Sequence, residues 1–280
     1  MPLSTMPVNT ESTIWPGAGN AIYLLPKKAM ARQKGIIKLQ GTIGDISFYK
    51  SKDGYLAREK GGVDASRIAN DPAFIRTREN GAEFGRAGSA GKVLRNAFRV
   101  ALQSSSDPRV TSRLTQAMVK VVQADAINDR GLRNVLDGEL EMLTGFEFNL
   151  NGKLNGTLFV PYVATIDRVS GALEVALSDY VPINAIGAPA GASHYQLNLA
   201  GAEIDFETGD FQTEYDNGGV QPLGSVAVNA QSLSVNLPAA STKPLFLAVG
   251  IEFFQEVNSQ MYSLKNGAYN GLALSKISGV

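Results

Sequence analysis

The chain has 280 residues, 44% of them hydrophobic, and its 26 Lys/Arg balance 26 Asp/Glu, a composition that excludes wholesale disorder and suits one large domain or two modest ones. It has no cysteine and a single histidine, His194, which removes disulfides, thiolate metal sites, multi-histidine metal sites and cysteine nucleophiles together. The zero net charge conceals a segregation: residues 1–134 carry 21 Lys/Arg against 11 Asp/Glu, net +10, and residues 135–280 carry 5 against 15, net −10.

Such a dipole along the chain suits a nucleic-acid-binding half, two separately solvated surfaces, or head-to-tail contact between copies, basic end against acidic end. No apolar run approaches the roughly 18 residues needed to cross a membrane. The short apolar cluster at 21–25 lacks the basic flank of a secretory signal, so synthesis into the cytoplasm is expected, with the final location open.

In chain order, residues 1–29 are rich in Pro, Ser, Thr and Asn and predict an extended arm. Trp15, Ile22, Tyr23 and Leu24 are its candidate anchors on a neighbouring surface. The arm is followed by Met30-Ala31-Arg32-Gln33-Lys34, which itself reads as a protein start.

Residues 30–62 predict a β-hairpin. Asp53-Gly54 reads as a two-residue type I′ turn, pairing Lys52 with Tyr55, Lys50 with Ala57 and Tyr49 with Arg58. One face then carries Ile46, Phe48, Lys50, Lys52, Tyr55, Ala57 and Glu59; the other carries Ser47, Tyr49, Ser51, Leu56, Arg58 and Lys60. Neither face is cleanly apolar, so the hairpin needs a third strand or another surface.

Residues 63–142 predict a small, basic helical region. Asp71-Pro72 and Asp107-Pro108 are N-caps followed by proline at the first helical position. Val110, Leu114, Met118 and Val121/Val122 form an apolar stripe on the second helix, and Val93, Leu94, Phe98 and Leu102 suggest a further helix beginning after Gly85, Gly88 and Gly91. Residues 143–280 predict an antiparallel β-sandwich: period-two alternation recurs at 146–150, 202–207 and 225–228, residues 244–251 read as a buried strand, and turns fall at Asn151-Gly152, Asn155-Gly156, Ser170-Gly171, Thr208-Gly209-Asp210 and Asn217-Gly218. The fold class is thus α+β: an extended arm and β-hairpin, a small helical region, and an acidic C-terminal antiparallel β-sandwich.

Candidate chemistry is sparse. Residues 84–95, FGRAGSAGKVLR, miss the phosphate-loop pattern, since Val93 follows Lys92 where Ser or Thr is required. His194 would have to serve any Ser–His–acid triad alone, and no nucleophile-elbow motif accompanies it. Glu203, Asp205 and Glu207 alternate with Ile204 and Phe206 as the wet side of an amphipathic strand would, with Asp210 and Glu214 close behind. No catalytic, cofactor-binding or metal-binding residue is assigned.

The run from Met30 to about Arg99 resembles uncharacterised bacterial proteins, chiefly of Bacteroidota, that begin with a Gly-rich hairpin. The likeness rests on Gly41 and Gly44, Phe48-Tyr49, Asp53-Gly54, Arg58 and Arg76-Thr77-Arg78. It implies Met30 as a natural start and carries no assigned activity.

The expectation is a non-enzymatic, self-assembling structural protein, a filament, tube or phage-like particle subunit whose partner is itself. Tyr49, Lys50, Lys52, Tyr55, Arg58, Lys60, Arg76 and Arg78 are its basic contact residues, and Glu203, Asp205, Glu207, Asp210 and Glu214 its acidic ones. The alternative is a carbohydrate- or surface-binding sandwich, for which Tyr162, Tyr180, Tyr195 and Tyr215 are the hint; a nucleic-acid-associated protein comes third.

Overall fold

The computed structural model describes residues 30–59, 62–264 and 267–279; the expected arm with its four candidate anchors, and Lys60, lie outside the described residues. Contacts divide the chain into one unit up to Asp64 and another from Ala65.

The first unit is a small antiparallel sheet of β1 (Met30–Arg32), β2 (Gly41–Ile43), β3 (Ile46–Ser51) and β4 (Gly54–Glu59), in the order β1-β4-β3-β2. The expected hairpin is therefore the centre of a four-stranded sheet, with one three-residue strand added to each edge. Its register differs from the expected one: Lys50 faces Tyr55, Tyr49 faces Leu56 and Ser51 faces Gly54. The reason is the turn. A type I′ turn needs positive φ at both central residues, but only Gly54 takes it (φ 109°), so the chain reverses over Lys52 and Asp53 and the glycine closes the ladder. Sliding the pairing by two residues leaves each side chain on its expected face. Gly44 (φ 56°) opens the β2–β3 turn at the position where a type II′ turn takes glycine.

The second unit begins with α1 (Ala65–Asn70), a 3-10 turn (Pro72–Phe74), α2 (Ile75–Ala97), α3 (Arg99–Leu102) and α4 (Val110–Gln123). Asp71 Oδ1 accepts from Ala73 N at 2.9 Å and caps the 3-10 turn, as expected. Asp107 Oδ1 accepts from Arg109 N at 2.6 Å in the turn before α4, whose N-cap position is Arg109 and not the expected Asp107. The expected break at Gly85, Gly88 and Gly91 is absent: α2 runs unbroken for 23 residues. Gly91 instead serves packing, lying against Leu114 and Met118 of α4, with Ala87, Ala90, Leu94 and Ala97 along the same buried stripe.

Two sheets follow. β5 (Tyr162–Asp167) and β6 (Ala172–Leu177) form a hairpin, and after the short α5 (Pro182–Ala185) come β7 (His194–Ile204), β8 (Phe211–Asn217), β9 (Gln221–Pro222), β10 (Gln231–Asn236), β11 (Leu245–Val257), β12 (Gln260–Ser263) and β13 (Gly271–Ser278). β10, β6 and β5 make one sheet. In the other, β8-β7-β11 continues into β13 and β12, both on the far edge of β11, while β9 extends the start of β7.

Strand alternation places Leu197, Leu199, Leu245, Leu247, Val249 and Ile251 against Leu173, Val175, Leu233 and Val235 of the smaller sheet, which is the antiparallel sandwich. The opposite face, Ala200, Ala202, Ile204, Phe246, Ala248 and Leu274, packs under α2 and α4. The helical region and the sandwich therefore share a core, and the boundary expected at 142/143 falls inside one unit. Residues 146–150, expected as a strand, form none: residues 145–148 run irregularly along β13, with Gly145 N and Phe148 N donating to the Leu274 and Leu272 carbonyls. Among the described residues no helix is long and apolar enough to cross a membrane.

Candidate assembly surfaces

In the N-terminal sheet, Lys50 lies 5.6 Å and Lys38 5.9 Å from the centre of the Tyr55 ring, while Arg58 lies 5.5 Å from that of Tyr49 on the other face. These pairs account for Lys50 on one face and Arg58 on the other, since each lies over an aromatic ring. They do not make a core. None of residues 31–59 is buried, and Ile36, Ile37, Ile43 and Ile46 are 103, 80, 63 and 46% exposed.

The loop joining β1 to β2 nevertheless has a fixed shape. Gln33 Oε1 accepts from Leu39 N at 2.8 Å, and its Nε2 donates to the Leu39 and Leu56 carbonyls.

Arg76 and Arg78, expected on the same basic surface, belong to the second unit and are engaged there. Arg76 pairs with Glu79 at 2.9 Å, one helical turn on. Arg78 donates to the carbonyls of Ile68 (2.8 Å) and Asp71 (3.0 Å), fixing α1 and the 3-10 turn against α2.

The expected acidic strand face is not formed, because β7 ends at Ile204 and the chain turns at Asp205. Asp205 accepts from Glu207 N and Thr208 N at 2.9 and 3.1 Å and lies 3.5 Å from Lys243 Nζ. The Thr208 N–H bond, with the help of Glu207 and Lys243, holds its carboxyl below the usual carboxylate value. Glu214 is exposed on β8 opposite Gly201. Glu203 and Asp210 line a separate hollow of about 330 Å³, in which Glu203 Oε2 is enclosed without a hydrogen-bond partner.

What the fold does bring together is Asp205 and Glu207 with Asp137, Glu139 and Glu141, which the sequence reading did not single out. All five line a cleft of about 680 Å³ with Lys243, and Ile127, Leu136, Ile204 and Pro244 supply its apolar surface. Beside it, sharing Leu136, Asp137 and Glu207, a groove of about 510 Å³ has a small-residue floor of Ala82, Gly85, Ser89 and Ala90 from α2, with Val135 and Phe206 as walls. The Asp137-Gly138-Glu139-Leu140-Glu141 alternation in the acidic half was the available signal.

The cleft walls are held from within. Asp125 accepts the N–H groups of Ile127, Asn128 and Asn134 (2.8–3.0 Å) and the Asn128 side chain. Asn134 Oδ1 accepts from Leu136 N and Asp137 N, and Arg86 ties the Gly131 and Arg133 carbonyls to α2. On the opposite side, the Arg168 guanidinium donates to the carbonyls of Ser241, Lys243, Ser278 and Gly279.

His194 Nδ1 lies 2.9 Å from Ser193 Oγ and its Nε2 is 3.9 Å from Glu256, outside hydrogen-bond reach. Ser193 Oγ also accepts from Glu256 N at 2.8 Å, so these groups join the ends of β7 and β11. The four tyrosines that suggested a carbohydrate site also have internal partners. Tyr180 and Tyr195 are buried in a closed ring of hydrogen bonds with Gln221 and Gln231, Tyr162 bonds Ser275, and Tyr215 Oη donates to the Ala97 carbonyl at the end of α2. Among the described residues no group of three or more His, Asp and Glu is placed to hold a metal ion. In comparisons with known proteins, the chain matches no family model, no curated protein and no solved structure.

Proposed function

We propose that the chain is a non-enzymatic structural subunit that assembles with copies of itself through its N-terminal sheet. The observation that carries this reading is the sheet's lack of a core: four strands and several isoleucines, with no buried residue from 31 to 59. A small sheet is stable only when an apolar face is covered, and clustered exposed apolar side chains on a folded protein mark a contact surface. A second copy is the covering surface that suits the charge segregation, because its C-terminal half carries the complementary sign. The carbohydrate alternative has less to rest on, since Tyr180 and Tyr195 are buried, while Tyr215 stays 41% exposed.

Light scattering and negative-stain electron microscopy of the concentrated full chain at low salt test the reading. Rings, filaments or defined oligomers are expected, and removal of residues 44–60 should abolish them while the β signal of the second unit persists. A monodisperse monomer at high concentration would refute it.

A further inference from the structure

We infer that the loop joining β1 to β2 in one copy plugs into the cleft beside the Asp205 turn of the next. This names the two halves of the contact in the self-assembly reading and rests on that reading.

The loop has the features of a plug. Ile36 and Ile37 stand side by side at 103 and 80% exposure, with Lys34 and Lys38 on either side. The Gln33 hydrogen bonds across its base set the shape in advance, so docking does not have to order a floppy segment, which removes part of the usual entropic cost of binding.

The cleft has the matching chemistry. Its lining alternates apolar groups with carboxylates, five of them against the single cation of Lys243. Two adjacent isoleucines suit its apolar surface, while the flanking lysines suit the acidic rim, with Glu139 and Glu207 both exposed there. Charge complementarity of this kind sets direction more than strength. It permits loop to cleft and disfavours loop to loop or cleft to cleft. Because the two surfaces differ, the contact is heterologous and propagates from copy to copy, giving a ring if the rotation closes and an open helix otherwise.

The test is a charge swap in the full chain. Lys34→Glu reverses the plug's charge, Lys38 being kept because its Nζ donates to the Gln33 carbonyl at the loop base and lies over the Tyr55 ring; Glu139→Lys/Glu207→Lys reverses the socket. These three side chains are exposed, and Glu141, which accepts from Gly279 N at 2.7 Å, and Asp137, which accepts from the Asn128 and Asn134 side chains, are left intact so that the fold survives; circular dichroism checks that it does.

Each variant alone should associate about tenfold or more weakly than the parent in sedimentation velocity, and mixing the two should restore assembly as an alternating copolymer. Ile36→Asp/Ile37→Asp should weaken association without rescue by either partner. Parent assembly should also weaken as salt is raised. If the parent assembles and both reversed variants assemble equally well, the plug and socket are wrong although self-assembly stands. If the parent stays monomeric, both readings fall.

Discussion

Asp125 is almost wholly buried where α4 gives way to the loop that forms one wall of the acidic cleft. Burial by itself would raise its carboxyl, but the N–H groups of Asn128, Asn134 and Ile127 and the Asn128 side chain outweigh it and hold the value down to about 2. A folded value below the ordinary carboxylate value of 3.8 means that the stabilisation is complete above about pH 4 and drains away as pH falls toward 2. Acid titration followed by hydrogen exchange should therefore open the amides of Ile127, Asn128 and Asn134 over that window, and Asp125→Asn should abolish the pH dependence. Unchanged protection down to pH 2 would contradict the assignment. At this scale the sequence was legible only where partners are neighbours. The carboxylates of Asp71 and Asp107 reach N–H groups two residues on, and those bonds were readable. Arg86 and Arg168 reach carbonyls 45 to 111 residues away, and no local pattern encodes those.

Among the elements, α2 shows why glycine was misread as a break. Gly81, Gly85 and Gly88 lower helix propensity, but tertiary packing of the Ala87–Leu94 side of the helix overrides that weak preference. A Cβ added at Gly81 or Gly88 meets nothing within 4 Å, so Gly81→Ala and Gly88→Ala should each stabilise by about 0.5–1 kcal/mol in urea titrations. Gly201 on β7 is the contrast: its Cβ would sit 2.6 Å from Val235 Cγ2 and 3.1 Å from Leu173 Cδ2, so Gly201→Ala should destabilise by about 1–3 kcal/mol. Equal effects at the three sites would overturn this account of where glycine is needed. α4 and β11 were readable because their apolar spacing spans many residues. β1 and β2, at three residues each, are too short to carry a period, so the sheet around the hairpin could not be foreseen.

For the whole molecule, the +10 and −10 halves do not coincide with the two structural units, because the basic helices lie on the same core as the acidic strands. Charge counts are local in sequence, whereas core membership is set by long-range packing, and only the former was open to inspection. A chain lacking residues 44–60 should consequently melt in one cooperative calorimetric transition covering helices and sandwich; two resolved transitions would show that the helical region folds independently.

The position of β13 between β11 and residues 145–148, with Arg168 gripping Ser278 and Gly279 behind it, bears on the order of biosynthesis. Every other described element leaves the ribosome before this strand. The β1–β2 loop precedes β13 in the chain, and the lining of the cleft, to which Gly279 belongs, is completed only after that strand is made. Under the proposed contact, a chain whose β13 has not yet emerged carries the plug without a complete socket, so it should be received by a finished copy but not receive one.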